Sequence, residues 1–515
     1  MASQTPELLP PNDTIAAEAS GRDVLQTYLV IGVPAVVGLL LYPYILANLG
    51  IVKFGIFSSL IAFGMFLATW DLGISLAINR ELARLSAGEA ALDTRLHIVA
   101  AILIVVLISG ALIAGVSIID LVMPEDASFR GLSENSNDYR NTLKIVLVTV
   151  PFQIATSIFR GAYDGVGNYS RANLLKLSVV FCSFILPAAF TFFTDSLTKI
   201  FLGVFVARLV VFIYFSLDFR LASSVFSLVR IKSERVMVAT YMRKLTTFGA
   251  WTFIASLVGG AMITGIIDRF FVGHILDADL LYVIAIPFDL LNRLALLPAA
   301  LSVMVLGFLS IKNTHNFGNV KNNIKHCTAV YASQMLPITC IAILNSEGVL
   351  RFLVGREDVD VVLLGTLLIP MLVGIYFNSL AQILAMLVYE RNDPHIAAYR
   401  HLIQVPFYVA VSFGIVSAER LDLIGYAWCC LVVIDYLFLI AICHVRYQIE
   451  GFSRNILISR EFLIALSIFS TAIIINIYEV SSLSFLLSFL CLASLANSLL
   501  RIFSSKKPFS LKVDQ

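Results

Sequence analysis

The sequence predicts an all-α polytopic membrane protein. Two observations carry that expectation: the composition and the length of the apolar runs. Of 515 residues, 59% are hydrophobic and only 14% are charged, with a mean hydropathy of +0.90. Soluble domains carry roughly 25% charged residues. A soluble core cannot hide this much apolar surface, whereas a bilayer can. A helical span needs about 20 mostly apolar residues. Fourteen segments qualify: 26–49, 54–79, 96–123, 141–159, 172–193, 200–219, 245–267, 280–310, 326–345, 359–389, 398–417, 424–444, 461–478 and 481–500. Only helices and closed barrels satisfy backbone groups in lipid, and continuous runs of this length are helices.

Charge sets the expected organisation. Most of the 36 Lys and Arg residues fall in loops on the side that also holds both ends of the chain. Both termini are therefore expected in the cytosol. On this count Lys176 and Arg400 belong to cytosolic loops and Arg269 to an outer loop. Residues 1–23 read as a flexible cytosolic tail, 24–219 as a six-helix lobe and 220–244 as a basic amphipathic linker lying at the interface. Residues 245–445 read as a second six-helix lobe, 446–500 as two additional helices and 501–515 as a basic cytosolic tail. The segments 44–57 and 270–283 share a pattern of helix end, short polar turn and next helix, as expected of paired halves.

Several functions find no support. A net charge of +2 gives no reason to expect nucleic acid. The seven Cys and seven His show no metal-ligand spacing, so no metal is expected. There is no GxxxxGK[ST], GxSxG or HExxH, hence no expected ATPase, no catalytic residue and no cofactor.

The stretch Leu49–Leu85, LGIVKFGIFSSLIAFGMFLATWDLGISLAINRELARL, carries Gly55-Ile56-Phe57, Asp71-Leu72-Gly73 and the basic exit Arg80-Glu81 with Arg84. ITGIIDRFFVGHIL at Ile263–Leu276 and RFLVGRE at Arg351–Glu357 follow. In order and spacing these motifs resemble the lipid-linked polysaccharide (O-antigen-type) flippase family. That family belongs to the multidrug/oligosaccharidyl-lipid/polysaccharide exporter superfamily. The chain departs from the family pattern at Asp279-Leu280-Leu281-Tyr282, where a Gly usually precedes the aromatic residue. The resemblance implies two helical lobes around a central cavity that opens alternately to each side of a bacterial inner membrane. It implies as cargo an oligosaccharide on polyprenyl pyrophosphate, driven by a proton or sodium gradient or by mass action. Membrane lipid, a polysaccharide polymerase and chain-length machinery are the implied partners.

Ionisable residues inside a membrane are costly and point to function. Arg293 lies deep in the eighth segment, and a guanidinium fork matches phosphate oxygens. Asp289, four residues earlier on the same helix face, offers a local partner that would neutralise it. Arg208 is deep in the sixth segment with no acid within a turn, leaving Asp71 or Asp435 as interhelical partners. Arg160 completes the candidate cargo-binding cations. Asp71, Asp289, Asp435 and Asp268 are the candidate cavity or coupling acids, with a capping role the alternative for Asp71. Competing readings are a cation-coupled multidrug antiporter of the same fold and a membrane-embedded glycan polymerase or acyltransferase. Deep arginines disfavour the first, and a short outer loop without His disfavours the second.

Overall fold

Backbone amides in lipid can bond only to one another, so apolar runs of this length must fold as helices. The computed structural model describes residues 21–68, 70–71, 73–86, 99–107, 109–110, 136–218, 232–263, 265–312, 317–355, 359–391, 393–448, 487–488 and 490–492. Among these residues every regular element is a helix. In chain order they are α1 (Gly21–Leu40), α2 (Tyr42–Ala68), α3 (Ile74–Ser86), α4 (Ser136–Gly165) and α5 (Tyr169–Val180). A π-turn, Phe181–Ile185, joins α5 to α6 (Leu186–Phe190), and α7 (Leu197–Asp218) follows. Then come α8 (Lys232–Ile263), α9 (Ile266–Ile275), α10 (Leu281–Lys312), α11 (Phe317–Leu344) and α12 (Ser346–Val354). The last three are α13 (Val361–Glu390), α14 (Pro394–Ser417) and α15 (Ile424–Val445).

Six described helices are long and apolar enough to cross a membrane: Tyr42–Ala68, Asp138–Gly165, Tyr169–Phe190, Leu197–Asp218, Val361–Glu390 and Leu421–Val445. A seventh joins them if Gln334–Leu344 and Ser346–Val354, bent by 64°, form one span. The chain is thus a multi-pass membrane protein. Helices α1, α8, α10, α11 and α14 overlie five further expected segments. The segment 461–478, both tails up to residue 20 and from 501, and most of 96–123 and 481–500 lie outside the described residues.

Three expectations change. The segment 54–79 is not one helix: it stops at Ala68 and restarts at Ile74, with Gly73 at φ 63°. The segment 245–267 breaks in the same way before Gly265, at φ 65°, and resumes as α9. These positive φ values suit glycine and strain other residues. Finally, residues 232–244 of the expected linker are the opening turns of α8 itself; residues 219–231 lie outside the described set.

Helices α1 to α7 pack mainly among themselves, as do α8 to α15, and α10 is the main bridge, lying against α1, α2 and α3. Small residues let backbones approach closely where lipid supplies no hydrophobic drive. Gly161 and Gly165, one turn apart on α4, seat against α3 in this way. A Cβ on Gly161 would stand 2.3 Å from the Ser75 carbonyl oxygen, and one on Gly165 would stand 2.7 Å from that of Asn79. Away from the bilayer centre, Asp393 ties α14 to the end of α15 through two hydrogen bonds from Arg446, both 3.0 Å, and one from Tyr447 at 3.0 Å. Partial burial would raise the Asp393 carboxyl, but these donors outweigh it and hold it below the usual carboxylate range.

The α3–α4 contact predicts an asymmetry between two glycines. Gly161→Ala forces backbone apart and should destabilise the fold by about 1–3 kcal/mol. Gly414→Ala meets nothing within 4 Å and should be silent. Thermal unfolding of detergent-purified variants checks this, and equal Tm shifts would contradict it.

Candidate functional site

The break between α2 and α3 helps to open a cavity between the two helix sets. It holds about 1760 Å3 of empty space, open to solvent, and is lined from α2, α3, α4, α5, α7, α8, α10 and α13. Its polar wall includes Ser75, Gln153, Thr156, Ser157, Thr252 and Ser256. Its charged wall is Asp71, Arg160, Lys176 and Arg208. Two smaller pockets adjoin it. One, with free room for little more than a water, holds Tyr42, Asp289, Asn292 and Arg293; the other, as small, holds Cys182 and Arg208. Met65 and Ser183 line all three spaces.

Each charged group has a distinct surrounding. Asp71 sits in the break rather than in a helix. Its Oδ1 accepts the Gly73 N–H at 2.8 Å and its Oδ2 accepts the Ser75 N–H at 3.3 Å. It therefore caps α3, whose N-terminus favours negative charge. Lys176 donates to Asp164 at 3.1 Å, both side chains being buried. Arg208 donates from Nη2 to the Ser183 hydroxyl at 2.9 Å, and its Nε has no partner. Ser183 lies on the π-turn and itself donates to the Val179 carbonyl at 2.8 Å. π-turns inside helices often mark functional positions. Arg160 has no partner at Nε.

Arg293 is held by aromatic faces. Its guanidinium lies 4.9 Å from the Tyr42 ring centroid and 5.0 Å from that of Phe184, while Nε and Nη1 have no hydrogen-bond partner. Cation–π contact offsets part of the desolvation of a guanidinium, and here it leaves the buried Nε and Nη1 unpartnered. Among the described residues no carboxylate forms an ion pair with Arg208 or Arg293.

Asp289 makes no direct ion pair with Arg293, although its charge acts on that guanidinium across the pocket they share. Asp289 spends its Oδ1 on Arg269 Nη2 at 2.8 Å. Its Oδ2 accepts the Ser58 hydroxyl at 2.6 Å and the Tyr42 hydroxyl at 3.2 Å. Arg269 is fully buried in the first turn of α9 and is no loop residue. The expected pairing of Arg208 with Asp71 or Asp435 fails too. Asp71 is engaged by backbone amides, and Asp435 pairs with buried Arg400 at 2.9 Å. Asp268, also fully buried, accepts from Tyr408 at 2.7 Å and from Ser412 at 2.5 Å.

The structure thus gathers Arg160, Arg208, Asp71 and, through the adjoining pocket, Arg293 and Asp289. Asp268 and Asp435 line none of the three spaces. Sequence reasoning assigned Lys176, Arg269 and Arg400 to loops, whereas the structure buries all three. For two of them the signal was present. Lys176 falls inside the segment 172–193, and Arg400 inside 398–417.

No family model matches the chain. A protein of Shigella flexneri described as "Putative O-antigen transporter" is 23% identical over 412 residues, covering 79% of this chain and 93% of that one. A solved structure of a MATE transporter superposes with a TM-score of 0.62 at 12% identity, covering 90% of this chain and 99% of that one. An outward-facing multidrug resistance MATE transporter of the MOP superfamily gives 0.62 at 10% identity, covering 89% and 97%. A MOP superfamily transporter from Pyrococcus furiosus, reported for the reverse polarity of its binding pocket, gives 0.55 at 9%, covering 90% and 99%. The chain has the fold of the multidrug/oligosaccharidyl-lipid/polysaccharide exporter superfamily, the group that its Leu49–Leu85 motifs resemble.

Proposed function

We propose that the chain is a flippase. It moves oligosaccharide linked to polyprenyl pyrophosphate from the cytosolic to the outer leaflet of a bacterial inner membrane, by alternating access, for surface polysaccharide synthesis. One observation carries this reading: among the described residues, Arg208 at the cavity and Arg293 in the adjoining pocket form no ion pair with an acid, and each keeps an unpartnered guanidinium nitrogen. A lone charge deep in a bilayer costs at least about 2.5 kcal/mol on insertion scales. A lipid pyrophosphate entering from the cytosolic leaflet supplies the missing countercharge, and the hydroxyl and amide wall suits a glycan. The similarity to an O-antigen transporter supports the same cargo class.

The proposed architecture is fourteen spans with both termini cytosolic. Two six-helix lobes at 24–219 and 245–445 face each other, and 446–500 adds two helices. The tight contact between the turns at 44–57 and 270–283 closes the outer end, and the large cavity opens to the cytosol. A proton or sodium gradient, or mass action, supplies the drive. A polysaccharide polymerase and chain-length machinery are the proposed downstream partners.

The multidrug reading draws on the solved neighbours. A cation antiporter needs a carboxylate free to face its cargo. In the large cavity that acid is Asp71, whose two oxygens already accept backbone amides. The charged wall favours an anion.

Two outcomes follow. Reporter fusions at Arg235 and Lys507 should read as cytosolic and those at Asn135 and Arg356 as outside; an external signal at Arg235 would overturn the span order. At matched protein level, Arg293→Lys keeps the charge but loses the fork. Glycan export should fall by about tenfold, the loss of one charge-assisted hydrogen bond, and fall further in Arg293→Ala. Arg208→Lys should behave alike. Wild-type export in both alanine variants would remove the anion site.

A further inference from the structure

The cation–carboxylate pair beside Arg293 joins the two helix sets. Arg269 and Asp289 belong to α9 and α10, whereas Tyr42 and Ser58 belong to α2. Three hydrogen bonds cross between them. Tyr42 and Ser58 donate to Asp289 Oδ2 at 3.2 and 2.6 Å, and Arg269 Nη1 donates to the Ser58 carbonyl at 2.8 Å. A fourth bond, Arg269 to Asp289 at 2.8 Å, holds the acid in place within its own set. Just beyond, Gly55 of α2 faces the start of α10 with no room for a side chain. A Cβ on Gly55 would stand 2.8 Å from Leu281 Cβ and 3.2 Å from the Tyr282 nitrogen. The helix sets are therefore clasped at this end by one partly buried carboxylate.

Arg293 reaches this clasp from the cavity side. The pocket that holds its guanidinium also holds Asp289 and Tyr42, and it meets the large cavity at Met65, Ser183 and Phe184. Tyr42 does two things at once. Its ring lies against the Arg293 guanidinium at 4.9 Å, and its hydroxyl bonds Asp289. A phosphate seated on the free Nε and Nη1 edges of Arg293 would place negative charge beside Asp289 and offer the Tyr42 hydroxyl a rival acceptor. Both effects act against the same carboxylate. Like charges at close range in a low dielectric repel strongly.

We infer that Asp289 with Arg269, Tyr42 and Ser58 is a clasp between the two helix sets, and that an anionic phosphate ligand on Arg293 releases it. The inference rests on the proposed anionic cargo for its second half alone; the clasp stands on geometry. It makes Arg293 a sensor as well as a binding group, and it makes Asp289 and Ser58 positioning residues that need never touch cargo. A neutral lipid of the same length would enter the cavity without opening the clasp.

The test uses the full chain in lipid nanodiscs, with its seven native cysteines replaced by alanine and spin labels at Val52→Cys and Asp279→Cys, one on each turn. Pulsed electron resonance reads the distance between the turns. Farnesyl pyrophosphate is the probe, farnesol the neutral control, and binding of each is measured separately. Without ligand the parent should give one short distance. Farnesyl pyrophosphate should shift population to a longer distance, and farnesol should not. Asp289→Asn should populate the longer distance about tenfold more than the parent without any ligand, the effect of losing one charge-assisted bond. Ser58→Ala, a change on the other helix set that removes a single hydroxyl, should move the same way. Arg293→Gln should stay short with or without the probe. Distances unchanged in both Asp289→Asn and Ser58→Ala would overturn the clasp. Binding of farnesyl pyrophosphate with no shift, or an equal shift in Arg293→Gln, would overturn the release step while leaving the cargo reading intact. Failure of the pyrophosphate to bind at all would overturn the cargo reading and the release step together, while the two clasp variants still judge the clasp.

Discussion

A charge buried in a bilayer must find a countercharge, a helix terminus, an aromatic face or water, and that requirement organises the interior of this protein. Most of its deep groups are settled internally. Lys176 has Asp164, Arg269 has Asp289 and Arg400 has Asp435. Asp71 has the amides of a helix start, and Asp268 has two hydroxyls. What is left over is cationic. Arg208 leans on one serine and Arg293 on two aromatic rings. The functional reading grows from that remainder, because an anion that visits and leaves does what a permanent partner would prevent.

Breaks in the helices make this arrangement possible. The interruption at 69–73 brings Asp71 to the cavity wall as a cap. The interruption at Gly265 turns α9 so that Arg269 points at Asp289 and Ser58. The π-turn at Phe181–Ile185 sets Ser183 beside Arg208. Unwound or overwound turns are tolerated at membrane depth when protein or a wet cavity satisfies the freed groups. Here each irregularity lies next to a charged side chain. Gly161 and Gly165 let α4 seat closely on α3, two of the helices that line the cavity.

Much of this was legible in the sequence, and the failures share a cause. Run length alone located the helices α7, α13 and α15 to within three residues of the expected segments. Depth in the apolar runs picked out Arg208 and Arg293. The partners of the charges were not legible. Asp289 lies one turn from Arg293, so helical spacing suggested a local pair; its actual partner stands 20 residues earlier, across a helix break. Hydropathy averages over a window and does not see a break of a few residues, so Asp71 looked like a mid-helix acid. Using Lys and Arg as loop markers hid Lys176 and Arg400, which lie inside the apolar segments 172–193 and 398–417. A basic residue inside an expected segment is better read as buried and paired than as the end of a span.

The central claim is that this cavity moves an anionic glycolipid rather than a cationic drug. The most direct measurement reconstitutes the full chain in proteoliposomes and follows leaflet transfer of a fluorescent oligosaccharide on polyprenyl pyrophosphate, beside uptake of a cationic dye. The account predicts transfer of the glycolipid, slowed by competing polyprenyl pyrophosphate, with dye uptake at the level of protein-free vesicles. Dye uptake above that level with no glycolipid transfer would contradict it.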